Sequence, residues 1–123
     1  MKYLLLVRHN EETFGTFSEA KRQEMLAESV RLTHQLHADR QYLHASPLLP
    51  SSTAAVVSVR DGKRLVTDGP FIETREQIAG YFLVTAKDLA EAIDIAGRIP
   101  GARIGTVEVR PVREITGLPG EGS

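Results

Sequence analysis

The sequence predicts an α+β fold, with one antiparallel sheet and two helices laid on one of its faces. Three observations lead there. Apolar runs near residues 3–7, 81–84 and 105–112 have strand character, and stretches of helical periodicity over 18–38 and 88–99 fall between them. Asp61-Gly62 stands between two β-branched runs, the pattern of a tight hairpin. The 123 residues suit one domain, because a chain of that size can bury about two thirds of its unfolded surface.

The opening Tyr3-Leu4-Leu5-Leu6-Val7 is apolar on both faces, which marks a central strand. It is too short for a signal-peptide core or a membrane span. Residues 10–17 are polar and read as a loop. Ser18 suits a helix N-cap, and Glu19 follows in the first turn, where the helix dipole favours negative charge. The helix runs to about Ala38. Met25, Ser29, Leu32, Thr33 and Leu36 share one face and should lie on the sheet, with Arg22, Glu24, Glu28, Arg31 and Gln35 outward or flanking.

Tyr42 to His44 suit a short strand, and Pro47 and Pro50 put a loop after it. In the hairpin, residues 54–60 and 63–68, a two-residue turn sets Val59 opposite Arg64 and Val57 opposite Val66. Val57, Val59 and Val66 then share the face expected toward the core. Gly69-Pro70 ends the hairpin, and residues 71–79 link irregularly to a strand over 81–84. Asp88 suits an N-cap with Glu91 as its reciprocal partner. Leu89, Ala92, Ile93 and Ala96 form the apolar face of that helix, which stops at Ile99 before Pro100-Gly101. The last strand alternates Val107 and Val109 with Glu108 and Arg110, and Pro111 marks an edge or an end. Residues 116–123 hold three glycines and one proline and are expected to form a flexible tail.

The order β-α-β-hairpin-β-α-β is ferredoxin-like, with both helices on one side of the sheet. The other side is then uncovered, although the first strand and residues 81–84 are apolar on both faces. A second copy packed sheet to sheet would cover it, so a homodimer is expected.

The formal charge is −1, from 15 basic and 16 acidic residues. Such balance gives no electrostatic footprint for nucleic acid and no basic surplus for an anionic membrane, so neither is expected as a direct partner. The sequence has no cysteine, which excludes disulfides, thiolate metal sites and a cysteine nucleophile. No apolar stretch of 20 residues occurs, and a cytoplasmic protein is expected. There is no G-x-G-x-x-G, Walker A or zinc spacing, so no cofactor and no metal are expected. His34 and His37, three residues apart on the first helix, lack an evident third ligand.

Polar residues at strand ends are the candidates for chemistry. Asp68 either caps the turn at Gly69-Pro70 or serves as an acid or base at a cavity mouth walled by Phe71 and Tyr81. His9 and His44 each follow a strand, and His9 suits a general base. Ser29 interrupts an apolar stripe; it either bonds the carbonyl one turn back or lines a cavity.

The run Val66-Thr67-Asp68-Gly69-Pro70-Phe71-Ile72-Glu73-Thr74-Arg75-Glu76-Gln77-Ile78-Ala79-Gly80-Tyr81-Phe82 resembles the signature of the YCII-related family in its DGPF branch. The opening Met1-Lys2-Tyr3-Leu4-Leu5-Leu6, the hairpin Arg60-Asp61-Gly62-Lys63 and the close Gly105-Thr106-Val107-Glu108-Val109-Arg110-Pro111-Val112 resemble it too. The likeness covers residues 1–115 as one domain and leaves 116–123 as the tail. It implies a ferredoxin-like dimeric α/β barrel. For YCII relatives it implies a His and Asp pair in a cleft, and in a few of them action on small aromatic or lactone-like molecules. Asp68 matches the acidic residue. The helix histidine of the pair falls on Ser29, which leaves His9 and His44 as substitutes.

Two functions are therefore expected in competition. One is a small-molecule enzyme with acid/base chemistry of lyase or isomerase type near Asp68 and His9, with Ser29, His44, Phe71 and Tyr81 around the ligand. The other is a non-catalytic ligand-binding or regulatory module, for which the resemblance implies a link to transcription through a protein partner such as a sigma factor.

Overall fold

A computed structural model describes residues 1–120, so part of the expected tail, residues 121–123, lies outside the described residues. Along the chain run strand β1 (Lys2–His9), helices α1 (Glu11–Gly15) and α2 (Glu19–Ala38), and β2 (Tyr42–Pro47). A 3-10 turn at Ser51–Thr53 leads to β3 (Ala55–Arg60), β4 (Lys63–Asp68) and β5 (Gln77–Thr85). Helices α3 (Leu89–Gly97) and α4 (Gly101–Ile104) precede β6 (Thr106–Pro111). The main sheet has the order β2-β5-β1-β6, and every neighbouring pair is antiparallel. The architecture is thus mixed α+β with an antiparallel sheet, and one chain closes no barrel. Among the described residues no helix is long and apolar enough to cross a membrane.

The two apolar faces of β1 place it between β5 and β6, where both of its edges are paired. Tyr3, Leu5 and Val7 alternate onto the helix side, as do Phe82 and Val84 of β5. They meet Leu32 and Leu36 of α2, Ala92 and Ile95 of α3, and Ile99 beyond it. Leu5, Leu36 and Val84 are wholly buried, and each such side chain contributes about 2 kcal/mol to folding.

Both long-helix starts form as the sequence predicts. Ser18 Oγ accepts from the Lys21 N–H at 3.1 Å, and Asp88 Oδ1 from the Glu91 N–H at 2.9 Å. Glu91 does not return the bond to Asp88. Its Oε1 instead accepts from the Lys87 N–H at 3.1 Å and from Gln41 Nε2 at 2.8 Å, which ties α3 to the turn before β2. The buried face of α3 is also rotated from the expected one: Leu89 and Ile93 are about half exposed, while Ala92, Ile95 and Ala96 are buried. Two alanines let that face lie close to the sheet, and Ile95 and Ile99 fill the volume.

The polar stretch 10–17 is not all loop. Asn10 Oδ1 accepts from the Thr13 N–H at 2.8 Å and caps α1, whose first turn carries Glu11 and Glu12.

The hairpin turn is as read, with positive φ at Asp61 (52°) and Gly62 (75°), and the register pairs Val57 with Val66 and Val59 with Arg64. Its place is different. β3 and β4 form a separate two-stranded sheet, and Val57, Val59 and Val66 are about 60% exposed rather than turned to the core. The reason is that β2 and β5 pair directly, leaving no slot for the hairpin in the main sheet.

Candidate functional site

The apolar stripe of α2 does not pack on the sheet along its whole length. Leu32 and Leu36 are buried, whereas Met25, Ser29 and Thr33 line a cavity of about 310 Å³ between the helix and the sheet. Val7, Ala45 and Phe82 from the strands, with Ile99, Pro100 and Ile104, make most of its remaining wall apolar. Gly101 also lines that wall, and a side chain there would collide with Val7 Cγ1.

The polar groups of the wall differ in how they are engaged. Thr33 Oγ1 donates to the Val30 carbonyl at 2.6 Å, the local bond that a helical hydroxyl usually makes. Ser46 Oγ donates to the Pro47 carbonyl at 2.9 Å. Among the described residues, Ser29 Oγ and the His9 imidazole have no hydrogen-bond partner. Arg22, one turn ahead of Met25, also lines the cavity.

His9 closes β1 and is half-buried, its ring stacked on Phe14 with centroids 4.4 Å apart. Helix α1 holds the surrounding loops. Asn10 Nδ2 donates to the Arg75 carbonyl at 2.9 Å, and the Glu11 carboxylate accepts from the Ser51 N–H at 2.7 Å and its hydroxyl at 2.5 Å. Burial pushes the His9 pKa below the usual histidine value, and the nearby charges of Glu11 and Glu76 only partly oppose it. His9 is therefore a neutral imidazole at pH 7, with a lone pair able to take a proton. Among the described residues no three His, Asp or Glu side chains gather closely enough to hold a metal ion.

The family model of the YCII-related domain matches residues 1–116. The chain belongs to the YCII-related family. A Rhizobium meliloti (strain 1021) protein described as uncharacterized is 32% identical over 121 residues, which cover 91% of this chain and 92% of that relative.

In this YCII-related chain the residues singled out from the sequence fall into three places. His9, Ser29 and Tyr81 line the cavity. Asp68 and Phe71 do not: Asp68 is exposed at the end of β4, and Phe71 is 83% exposed. Both sit where the hairpin stands off the main sheet, and backbone closes the turn there, Gly69 N–H donating to the Ala54 carbonyl at 2.7 Å. His44 is on the sheet face away from the helices, stacked on Tyr81, whose hydroxyl lies 2.6 Å from His44 Nδ1. Tyr81 thus borders the cavity while its hydroxyl is engaged elsewhere. Arg22 was missed by sequence reasoning, although the spacing of Arg22, Met25, Ser29 and Thr33 is one helical stripe.

The His9 environment of this YCII-related protein makes its stability depend on pH. The unfolded chain binds a proton at His9 near pH 6.5, the folded chain only at lower pH. The contribution of His9 is therefore complete above that range and is lost as pH falls toward the folded value. Urea unfolding at pH 7.5 and 5.5 checks this. On acidification the wild type is expected to lose more stability than His9→Gln, and equal losses would contradict it.

Proposed function

We propose that the protein binds a small, largely apolar molecule in the cavity between α2 and the sheet and exchanges a proton with it through His9. The observation that carries this reading is the presence of a neutral imidazole and an unengaged hydroxyl, His9 and Ser29, in one apolar cavity of about 310 Å³. That volume is at the small end of ligand sites. An imidazole neutral at pH 7 is matched to removing a proton from an activated carbon or oxygen, as a lyase or isomerase step requires. Ser29 Oγ can donate to a carbonyl of the same molecule and hold it against the imidazole.

Thermal unfolding with coumarin and a set of small neutral aromatics and lactones tests the binding. A ligand at ten times its Kd is expected to stabilise the fold by about 1.4 kcal/mol. Ser29→Leu, whose larger side chain occupies the cavity, is expected to abolish that gain. No stabilisation by any compound, or the same gain in Ser29→Leu, would remove the cavity as the site. Deuterium uptake from D2O into the acidic C–H of a bound compound tests the proton step, with His9→Gln expected to bind but not exchange.

Asp68 bears on the same reading. Because it is exposed and outside the cavity wall, Asp68→Asn is expected to leave binding unchanged and stability within about 0.5 kcal/mol. Titration of a cavity ligand into Asp68→Asn checks this, and a lost affinity would return Asp68 to the site.

The run Asp68-Gly69-Pro70-Phe71 supports placement in the DGPF branch, and the strand order β2-β5-β1-β6 supports a ferredoxin-like fold. A second observation favours assembly as a homodimer, sheet to sheet. Leu4, Leu6 and Leu83 lie half-exposed with Tyr81 on the face without helices, and the hairpin presents Val57, Val59 and Val66 to solvent. A second copy on that face supplies the cover that α2 and α3 give the other side.

A further inference from the structure

Resting on the cavity reading above, we infer that the ligand is a monocarboxylate, its carboxylate held by Arg22 and its apolar body lying along α2 toward Ser29. Among the described residues, Arg22 is the one residue of permanent charge in the cavity wall, and no Asp or Glu lines it. Its situation differs from that of the arginines paired with carboxylates. Arg8 and Arg110 meet Glu108, and Arg103 meets Glu28, whereas Arg22 forms no salt bridge among the described residues. Its Nη1 instead donates to the main-chain carbonyls of Phe17 and, at 3.5 Å, Gly15.

Those carbonyl bonds have two consequences. They anchor the guanidinium to the segment before α2, so little side-chain freedom is lost when a ligand arrives. They also use only one of its terminal nitrogens. The remaining N–H groups, on Nε and Nη2, form the planar fork that matches a carboxylate in two parallel bonds. A half-buried cation facing an apolar cavity is poorly solvated, and an anion that enters with an apolar body restores its pairing without leaving another charge unpaired.

Spacing sets the size. Arg22 and Ser29 are seven residues apart on one helix, which at the rise of an α-helix is roughly 10 Å along the axis. A carboxylate joined to one aromatic ring by a short chain spans that interval. The wall along the way is Met25 and Leu26 on the helix, facing Ile99 and Ile104.

The test compares 4-phenylbutyrate with 4-phenylbutanamide, which have the same shape and differ in charge, by NMR titration against the full chain. Wild type is expected to bind the carboxylate about tenfold more tightly. In Arg22→Gln that ratio should fall to near one while the amide binds as before, and in Arg22→Lys, which keeps the charge but not the fork, it should lie between. Equal binding of the two probes by wild type, or a ratio that survives in Arg22→Gln, overturns the carboxylate assignment and leaves the cavity reading standing. Binding of neither probe at millimolar concentration, to wild type, overturns the carboxylate assignment, and stabilisation by the neutral aromatics and lactones then decides the cavity reading by itself. If Arg22→Gln does not fold, the wild-type ratio decides alone.

Discussion

Gly105→Ala is expected to destabilise the protein by about 3 kcal/mol and to lower its melting temperature by roughly 10 °C. Gly105 joins α4 to β6 with φ of −156°, outside the left-handed region that favours glycine, so the effect is not one of positive-φ strain. It comes from space. A Cβ at this position would fall on the Arg8 carbonyl oxygen, with Arg8 C and His9 Cα each only 3.0 Å away. All three are main-chain atoms, and no rotamer change can relieve them. The end of β1 would have to move, although β5 and β6 hold that strand on both edges. His9 is the residue displaced, so affinity for any cavity ligand should fall along with stability. Gly97→Ala is the control, because a Cβ there meets nothing within 4 Å and the residue closes a helix. Urea unfolding of both variants beside wild type checks the prediction, and a wild-type midpoint for Gly105→Ala would refute it.

What the sequence discloses here is local order more than placement. Ser18 and Asp88 cap their helices because a cap needs only the three residues that follow it. Asp61-Gly62 turns the hairpin because positive φ at two adjacent positions is a property of those residues alone. The same hairpin shows where such reasoning stops. Alternation puts Val57, Val59 and Val66 on one face but does not say what that face meets, and β2 pairing with β5 leaves the face outside the core. Asp68 goes with the hairpin for that reason. On α2 the stripe was legible, but not the point at which the helix leaves the sheet. Periodicity cannot separate Leu36, which is wholly buried, from Met25 and Ser29, which border a cavity. Arg22 continues that stripe by one turn, and its charge hid it, because a charged residue at the margin of an apolar face ordinarily points to water. For Ser29 the sequence left a local bond and a cavity wall both open, since Thr33 four residues on shows the same residue chemistry satisfied locally.

Leu6→Lys is expected to raise the dissociation constant of the proposed dimer at least 100-fold, or by about 3 kcal/mol. Leu6 lies in the middle of the sheet face without helices, opposite Tyr81 on β5 and Glu108 on β6. Leu4 and Leu83 face each other one step along the same face, so the apolar centre is contiguous. A twofold dimer buries this centre against itself, and each copy of the substitution then brings an ammonium into an apolar interface opposite another. Desolvating such charges costs several kcal/mol per ion when no partner is in place, and the neighbouring Glu108 is already paired with Arg8 and Arg110. In an isolated chain the same position is half-exposed and next to Glu108, so a lysine there stays hydrated and the chain still folds. That difference makes the substitution a test of assembly rather than of stability. Sedimentation velocity at micromolar concentration should show a wild-type dimer and a Leu6→Lys monomer with unchanged circular dichroism. A wild-type monomer, or a Leu6→Lys dimer as tight as wild type, would mean that this face is not covered by a second copy. The exposed valines of the hairpin would then need another explanation, because the proposed dimer is offered as their cover too.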